Sequence, residues 1–226
     1  MTDLKFGAVL FDCDGVLVDS EPITNGVLRD MLDEAGWALS PAECMRLFVG
    51  KAVKDEVALI EAKTGLVIDE AWMVQFRARR DVGLRARLLP IDGAVDAVAA
   101  IHARYAGRIA CASGADRAKV VLQLTMCGLM PYFDGRIFSG YEQPRSKPFP
   151  DVYLAAAGAL GVDAKRCAVV EDSVTGVLAG VAAGATVFGF CPSFGPAANA
   201  HSSPAALLDA GAVQVFSDMA VLADLL

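Results

Sequence analysis

The sequence is poor in the features that define several large functional classes. Its 226 residues contain two histidines, His102 and His201, so a histidine-based triad has little to draw on, and each reads as a surface or packed side chain. The six cysteines (Cys13, Cys44, Cys111, Cys127, Cys167 and Cys191) include no C-x-x-C pair, which excludes a zinc ribbon and a thioredoxin-type redox motif. Cys13, Cys111 and Cys167 lie in or beside apolar runs, where cysteine acts as a small hydrophobe, and reduced thiols are expected. No apolar run approaches the roughly 20 residues that span a bilayer. The opening Met1-Thr2-Asp3-Leu4-Lys5 lacks the basic region and cleavage site of a secretory signal, so a cytoplasmic protein with no membrane partner is expected. Basic residues are in deficit: 20 Lys and Arg stand against 27 Asp and Glu, a formal net charge of −7. Nucleic-acid backbones need clustered cations, so no nucleic-acid partner is expected. The densest basic stretch, Arg77 to Arg87, has helical spacing and reads as a solvated helix face.

What is present points to a well-buried α/β core. Hydrophobic residues make up 55% and charged residues 21%, a balance that supports a sizeable interior and argues against disorder. Gly7–Phe11, Arg108–Ala112, Arg166–Val170 and Ala185–Phe190 are nearly continuous apolar runs, as expected of strands covered on both faces. Arg136–Ser139 is a shorter run of the same kind. Between them, residues 93–105, 116–127, 150–160 and 173–183 carry apolar side chains at three- and four-residue spacing. Alternating strands and helices predict a doubly wound, mostly parallel sheet. Weaker elements are expected at 205–210, 213–216 and 219–225, after a Pro/Ser/Gly-rich loop at 191–204. One stretch breaks the alternation. Residues 21–35, 41–48, 53–64 and 70–86 all read as helices, with Ser40-Pro41 as an N-cap and N1 pair and Gly36 and Gly65 as C-caps. The expected organisation is a core built from 1–18 and 88–226, and a small helical domain, 19–87, inserted after the first strand.

The ends of the strands carry the chemistry. The first run ends in Asp12 and Asp14, the second in Ser113, and the 166–170 run in Glu171-Asp172. Ligands of open α/β sheets bind outside the carboxyl ends of the strands, so four carboxylates and a hydroxyl converge on one rim. Burying those carboxylates together is costly without a cation, and hard oxygen ligands of this kind suit Mg²⁺. Lys147, in the loop after Arg136–Ser139, is placed on the same rim, where a residue before proline is biased to extended geometry. Other templates fail. An EF-hand loop starting at Asp12 would put Leu17 at its glycine and Ile23 at its final glutamate. There is no phosphate-binding G-x-x-x-x-G-K-[ST], no strand-linked G-x-G-x-x-G and no H-E-x-x-H.

Four segments in order resemble the motifs of the haloacid dehalogenase (HAD) superfamily: Phe11-Asp12-Cys13-Asp14-Gly15 through Ser20, Ala112-Ser113-Gly114, Ser146-Lys147-Pro148 with Pro150-Asp151, and Val170-Glu171-Asp172-Ser173 with Gly176. The resemblance spans essentially the whole chain, and the helical insertion sits where this family carries a cap domain. It implies Asp12 as a nucleophile that is transiently phosphorylated and Asp14 as general acid and base. It implies Mg²⁺ held by the Asp12 carboxylate, the Asp14 backbone carbonyl and Asp172, with Glu171 a ligand or a group behind the ligands. Ser113 and the Gly114 amide would cradle phosphoryl oxygens and Lys147 would neutralise charge. Dehalogenases of the superfamily lack the second aspartate; Asp14 therefore favours phosphate chemistry. Sugar-phosphate mutases with this cap carry a cap histidine where Thr24 stands, and a phosphatase is expected over such a mutase or a non-catalytic phosphate-binding protein. Phe138-Ser139-Gly140-Tyr141, Val170–Gly176 and Val187–Cys191 resemble the 6-phosphogluconate phosphatase branch. The expected partner is a small phosphorylated sugar or sugar acid, with Gly50, Lys51 and Lys54 as cap contacts to it, on a monomer or loose dimer.

Overall fold

The computed structural model describes residues 4–48, 51–192 and 202–226. The chain divides into two compact units, one built from the chain up to Asp19 and from Leu89 onward, the other from Ser20–Leu88.

The larger unit contains a sheet of six strands: β1 (Ala8–Phe11), β2 (Ile109–Ser113), β3 (Ile137–Ser139), β4 (Cys167–Glu171), β5 (Thr186–Phe190) and β6 (Gln214–Phe216). Their order is β3-β2-β1-β4-β5-β6, and every pairing is parallel. The sheet is thus the doubly wound parallel one that the alternation of elements predicts. Chain order reverses between β1 and β4, which makes the carboxyl end of β1 the topological switch point where ligands of such sheets bind. Every residue of β1, β2 and β4 is buried, which is why these runs carry no alternation of polar and apolar side chains.

Among its described residues the smaller unit holds four α-helices: α1 (Glu21–Glu34), α2 (Pro41–Phe48), α3 (Val57–Thr64) and α4 (Glu70–Arg87). Leu28, Leu32, Cys44, Phe48, Ile60, Met73 and Phe76 form its own apolar core. Ser40 and Glu43 exchange bonds at the start of α2: the Glu43 amide donates to Ser40 Oγ at 3.3 Å and the Ser40 amide to Glu43 Oε2 at 2.9 Å. Such a box stabilises a helix start by about 1 kcal/mol. One expectation needs correction. Residues 53–64 read as a single helix, but Val53–Asp55 is a 3₁₀ turn and the chain breaks at Glu56 (φ −106°, ψ 9°) before α3 begins. Val53, Val57 and Ile60 stay in helical phase across the break, so periodicity does not register it.

The remaining helices belong to the larger unit: α5 (Ala94–Arg104), α6 (Arg117–Met126), α7 (Met130–Phe133), α8 (Asp151–Ala159), α9 (Val174–Ala182), α10 (Pro204–Asp209) and α11 (Leu222–Leu225). Ala156 and Ala157 of α8 share one core with Ala110 and Ala112 of β2, small side chains that let helix and sheet approach closely. Asp116 and Ser173 cap α6 and α9, accepting from the amides of Lys119 and Gly176 at 2.9 and 3.1 Å. The short α7 falls below the length that periodicity detects. Most of the loop read at 191–204 lies outside the described residues.

Candidate active site

The site is built where buried strands stop. Asp12 follows β1 directly, and its amide donates to the Val170 carbonyl at 3.0 Å, so it is still held in sheet register beside β4. The chain then turns back at Gly15, whose φ of 79° lies in the left-handed region that side chains resist. The amides of Leu17 and Val18 close this turn on the Cys13 carbonyl at 2.9 and 3.1 Å, and the Gly15 amide donates to the Val18 carbonyl at 2.9 Å. Beyond the turn, Val18 bridges antiparallel to Pro90, and the Asp19 amide donates to the Leu89 carbonyl at 3.0 Å.

β4 delivers Glu171 and Asp172. Oxygens of Asp12, Glu171 and Asp172, all buried, lie within 4.8 Å of one another. The loop after β3 brings in Lys147, whose ammonium donates to Asp12 Oδ1 and to Glu171 Oε1, both at 2.6 Å. Burial works against a charged Lys147, but Asp12 and Glu171 outweigh it and push its pKa well above the ordinary lysine value. Lys147 therefore stays an ammonium and bridges two of the three carboxylates. Burial raises the Asp12 carboxyl from its ordinary 3.8 to about 7; Lys147 opposes that rise, and Glu171 and Asp14 add to it. Three buried carboxylates, two of them paired with a single ammonium, leave negative charge uncompensated, an arrangement that calls for a cation.

Glu171 is the hub of the group. Its side chain is fully buried and accepts from Lys147 Nζ, Tyr153 Oη (2.7 Å), the amides of Asp172 and Ser173 (3.0 and 3.2 Å) and Ser173 Oγ (3.0 Å). A carboxylate offers about four lone-pair directions, so these donors use its capacity. Gly176 makes room for it: a Cβ there would sit 1.7 Å from Glu171 Oε1. Tyr153, on α8, was not among the residues the sequence singled out. It is fully buried, and Lys147 Nζ lies 4.8 Å from its ring centroid. Burial and the adjacent Glu171 push its phenol pKa well up, so the hydroxyl remains a donor.

Asp14 has different neighbours. Its Oδ1 accepts from Gln123 Nε2 at 2.7 Å and pairs with Lys119 Nζ at 2.8 Å. Both partners stand on α6, and neither was singled out in the sequence, where this stretch showed only apolar residues at helical spacing. The Cys13 thiol donates to Gln123 Oε1 at 3.4 Å. A side-chain hydrogen bond with Cys111 and burial push the Cys13 pKa well up, so this thiol stays protonated. All six cysteines are free thiols.

Ser113 ends β2 and is buried; its Oγ accepts from the Ala115 amide at 3.1 Å, curling the chain at Gly114. Ser139 of β3 braces that curl by donating to the Ala115 carbonyl at 2.6 Å. Of the expected cap contacts, Lys51 is exposed and pairs with Glu56 at 3.3 Å, Lys54 is partly buried, and Gly50 lies outside the described residues.

A parallel doubly wound sheet with buried aspartates, a lysine and a serine on one rim defines an α/β protein with a carboxylate-rich site at the strand ends. The chain belongs to the haloacid dehalogenase-like hydrolases, whose family model matches residues 6–184. Its enzyme class there is phosphoric monoester hydrolase. It is 33% identical over 202 residues to the 6-phosphogluconate phosphatase of Escherichia coli K12, covering 88% of this chain and 86% of that one. It is 30% identical over 183 residues to hexitol phosphatase B of the same strain, covering 78% and 79%. Among solved structures it resembles a HAD family hydrolase from Deinococcus radiodurans R1 with bound phosphate and sodium, at TM-score 0.75, 35% identity and 99% coverage of both chains. No helix among the described residues is long and apolar enough to cross a membrane.

Proposed function

We propose that this protein is a Mg²⁺-dependent phosphatase that hydrolyses a small phosphorylated sugar or sugar acid, with 6-phosphogluconate the leading substrate. The observation that carries the reading is the buried group itself. Asp12, Glu171 and Asp172 lie together with one ammonium that bridges Asp12 and Glu171, and burial raises the Asp12 carboxyl to about 7. The donor set is all oxygen, which fits Mg²⁺. Asp12 and Asp172, with the Asp14 backbone carbonyl, would hold it. Glu171, saturated by its five donors, stands behind them and anchors Lys147. When bound, Mg²⁺ supplies charge stabilisation to phosphoryl oxygens and keeps Asp12 ionised.

An Asp12 carboxylate oxygen attacks the phosphorus, and the bond from phosphorus to the sugar oxygen breaks. Asp14 gives that oxygen a proton, then takes one from the water that attacks the phosphorylated Asp12; phosphate leaves and Asp12 is restored. Lys147 balances charge at Asp12 throughout, and Ser113 with the Gly114 amide holds phosphoryl oxygens. Gly50, Lys51 and Lys54 contribute to substrate choice from the cap. The likeness to the E. coli 6-phosphogluconate phosphatase supports the substrate.

A panel of phosphorylated metabolites assayed for released phosphate tests this, with the highest kcat/KM expected for 6-phosphogluconate. Conversion of β-glucose 1-phosphate to glucose 6-phosphate without free phosphate would overturn it. The metal has its own test. Because Asp12 titrates near 7, Mg²⁺ binding displaces a proton, and affinity should rise as pH increases from about 5 to about 8. At saturating Mg²⁺ the melting temperature should rise by roughly 5 °C, and Asp172→Asn should lose that shift.

A further inference from the structure

We infer that Lys119 and Gln123 are positioning residues for Asp14, clamping one oxygen of its carboxyl group so that the other meets the substrate's leaving oxygen. The inference rests on the reading of Asp14 as general acid and base. Three observations carry it. The two donors converge on the same atom, Oδ1, at 2.8 and 2.7 Å. The carboxyl group cannot rotate about its Cβ–Cγ bond without lengthening both bonds, so the direction of Oδ2 is set by α6. Second, the donors are four residues apart, so one face of α6 presents them side by side, and the helix is anchored directly before them by the Asp116 cap on the Lys119 amide. Third, Gln123 is itself fixed. It is fully buried, and the Cys13 thiol donates to its Oε1, which orients its Nε2 toward Asp14. Cys13 lies between Asp12 and Asp14 in the chain, so one turn carries the attacking carboxylate, the proton carrier and the hydrogen bond that orients the clamp.

Burying a lysine ammonium and a glutamine amide is costly unless each is well partnered, and the start of a surface helix would ordinarily leave both in water. Lys119 is 7% exposed and Gln123 0%. A clamp that only stiffened the fold would affect all substrates alike. A clamp that aims a proton donor matters only where the leaving group needs the proton, and general acid catalysis contributes about 10²- to 10⁴-fold.

The test uses kcat/KM, which reports the half-reaction that expels the leaving group. Lys119→Met and Gln123→Met are compared with wild type on p-nitrophenyl phosphate, which leaves as a stable anion, and on the best alkyl phosphate of the metabolite panel. The expected result is a loss of about tenfold or more on the alkyl phosphate and under about threefold on the aryl one, with Lys119→Arg recovering most of it. Equal losses on both substrates, or no loss in either variant, would overturn the clamp. Asp14→Asn separates the two readings. If it shows the leaving-group-dependent loss and the α6 variants do not, the clamp fails alone; if it shows none, the assignment of Asp14 fails first. An unchanged Mg²⁺-induced melting shift in each variant confirms that the metal-holding carboxylates are intact.

Discussion

Replacing Asp12 by Asn is expected to lower turnover of p-nitrophenyl phosphate with Mg²⁺ present by at least about 10⁴-fold, because the amide cannot form the covalent phosphoryl intermediate. Undiminished turnover in purified variant would sink the nucleophile assignment. The same substitution should move stability in the opposite direction. Asp12 has a folded pKa of about 7 against an ordinary 3.8, so the folded protein binds a proton more tightly than the unfolded chain does. The associated stability is fully present below about pH 4 and is lost as pH rises through about 7. The asparagine variant carries no such titration. In EDTA it should therefore match wild type near pH 4 and exceed it by a few kcal/mol near pH 8. Mg²⁺ should close that gap by stabilising only wild type. Urea melts of both proteins at the two pH values, with and without Mg²⁺, check this. Parallel stabilities at both pH values in EDTA would mean that Asp12 is not strained by burial.

Gly176→Ala is expected to destabilise the protein by about 3–5 kcal/mol and to lower activity by at least about 10²-fold. In a helix interior, glycine to alanine ordinarily stabilises by up to about 1 kcal/mol, so helix propensity predicts the wrong sign here. The reason is steric: the added Cβ would lie 1.7 Å from Oε1 and 1.9 Å from Cδ of Glu171. Glu171 would have to leave its place, and with it would go the carboxylate that holds Lys147 and Tyr153. Gly158→Ala in α8 is the control, because nothing lies within 4 Å of its added Cβ, and it should be neutral or slightly stabilising. Thermal melts and p-nitrophenyl phosphate assays of the two variants side by side decide the matter. A Gly176→Ala protein as stable and active as Gly158→Ala would show that the hub at Glu171 yields easily.

The residues legible in the sequence share one local signature. Asp12, Ser113, Glu171 and Asp172 each interrupt or directly follow a short apolar run, and a run buried on both faces must end where the sheet does. Lys147 was legible from its place in a loop after such a run. Parallel pairing then brings the ends together, and the structure places Asp12, Lys147, Glu171 and Asp172 in one buried group. The helices of the insertion were legible for the same reason of pattern. The 3₁₀ turn at Val53–Asp55 was not, because the apolar phase continues through it.

By itself, then, the amino-acid sequence determined the fold class and the rim of carboxylates, both of which follow from local runs, their ends and composition. Only the tertiary structure decided which charge meets which. Tyr153 reaches Glu171 across 18 residues and Gln123 reaches Asp14 across 109, distances over which helix phase and the strand order β3-β2-β1-β4-β5-β6 select partners. The two aspartates of one short turn thereby acquire different surroundings: Asp12 faces Lys147 and the other carboxylates, and Asp14 is held by α6. Electrostatics inside a protein is a property of neighbours in space, and that is why the surroundings of the two aspartates separate only once the chain is folded.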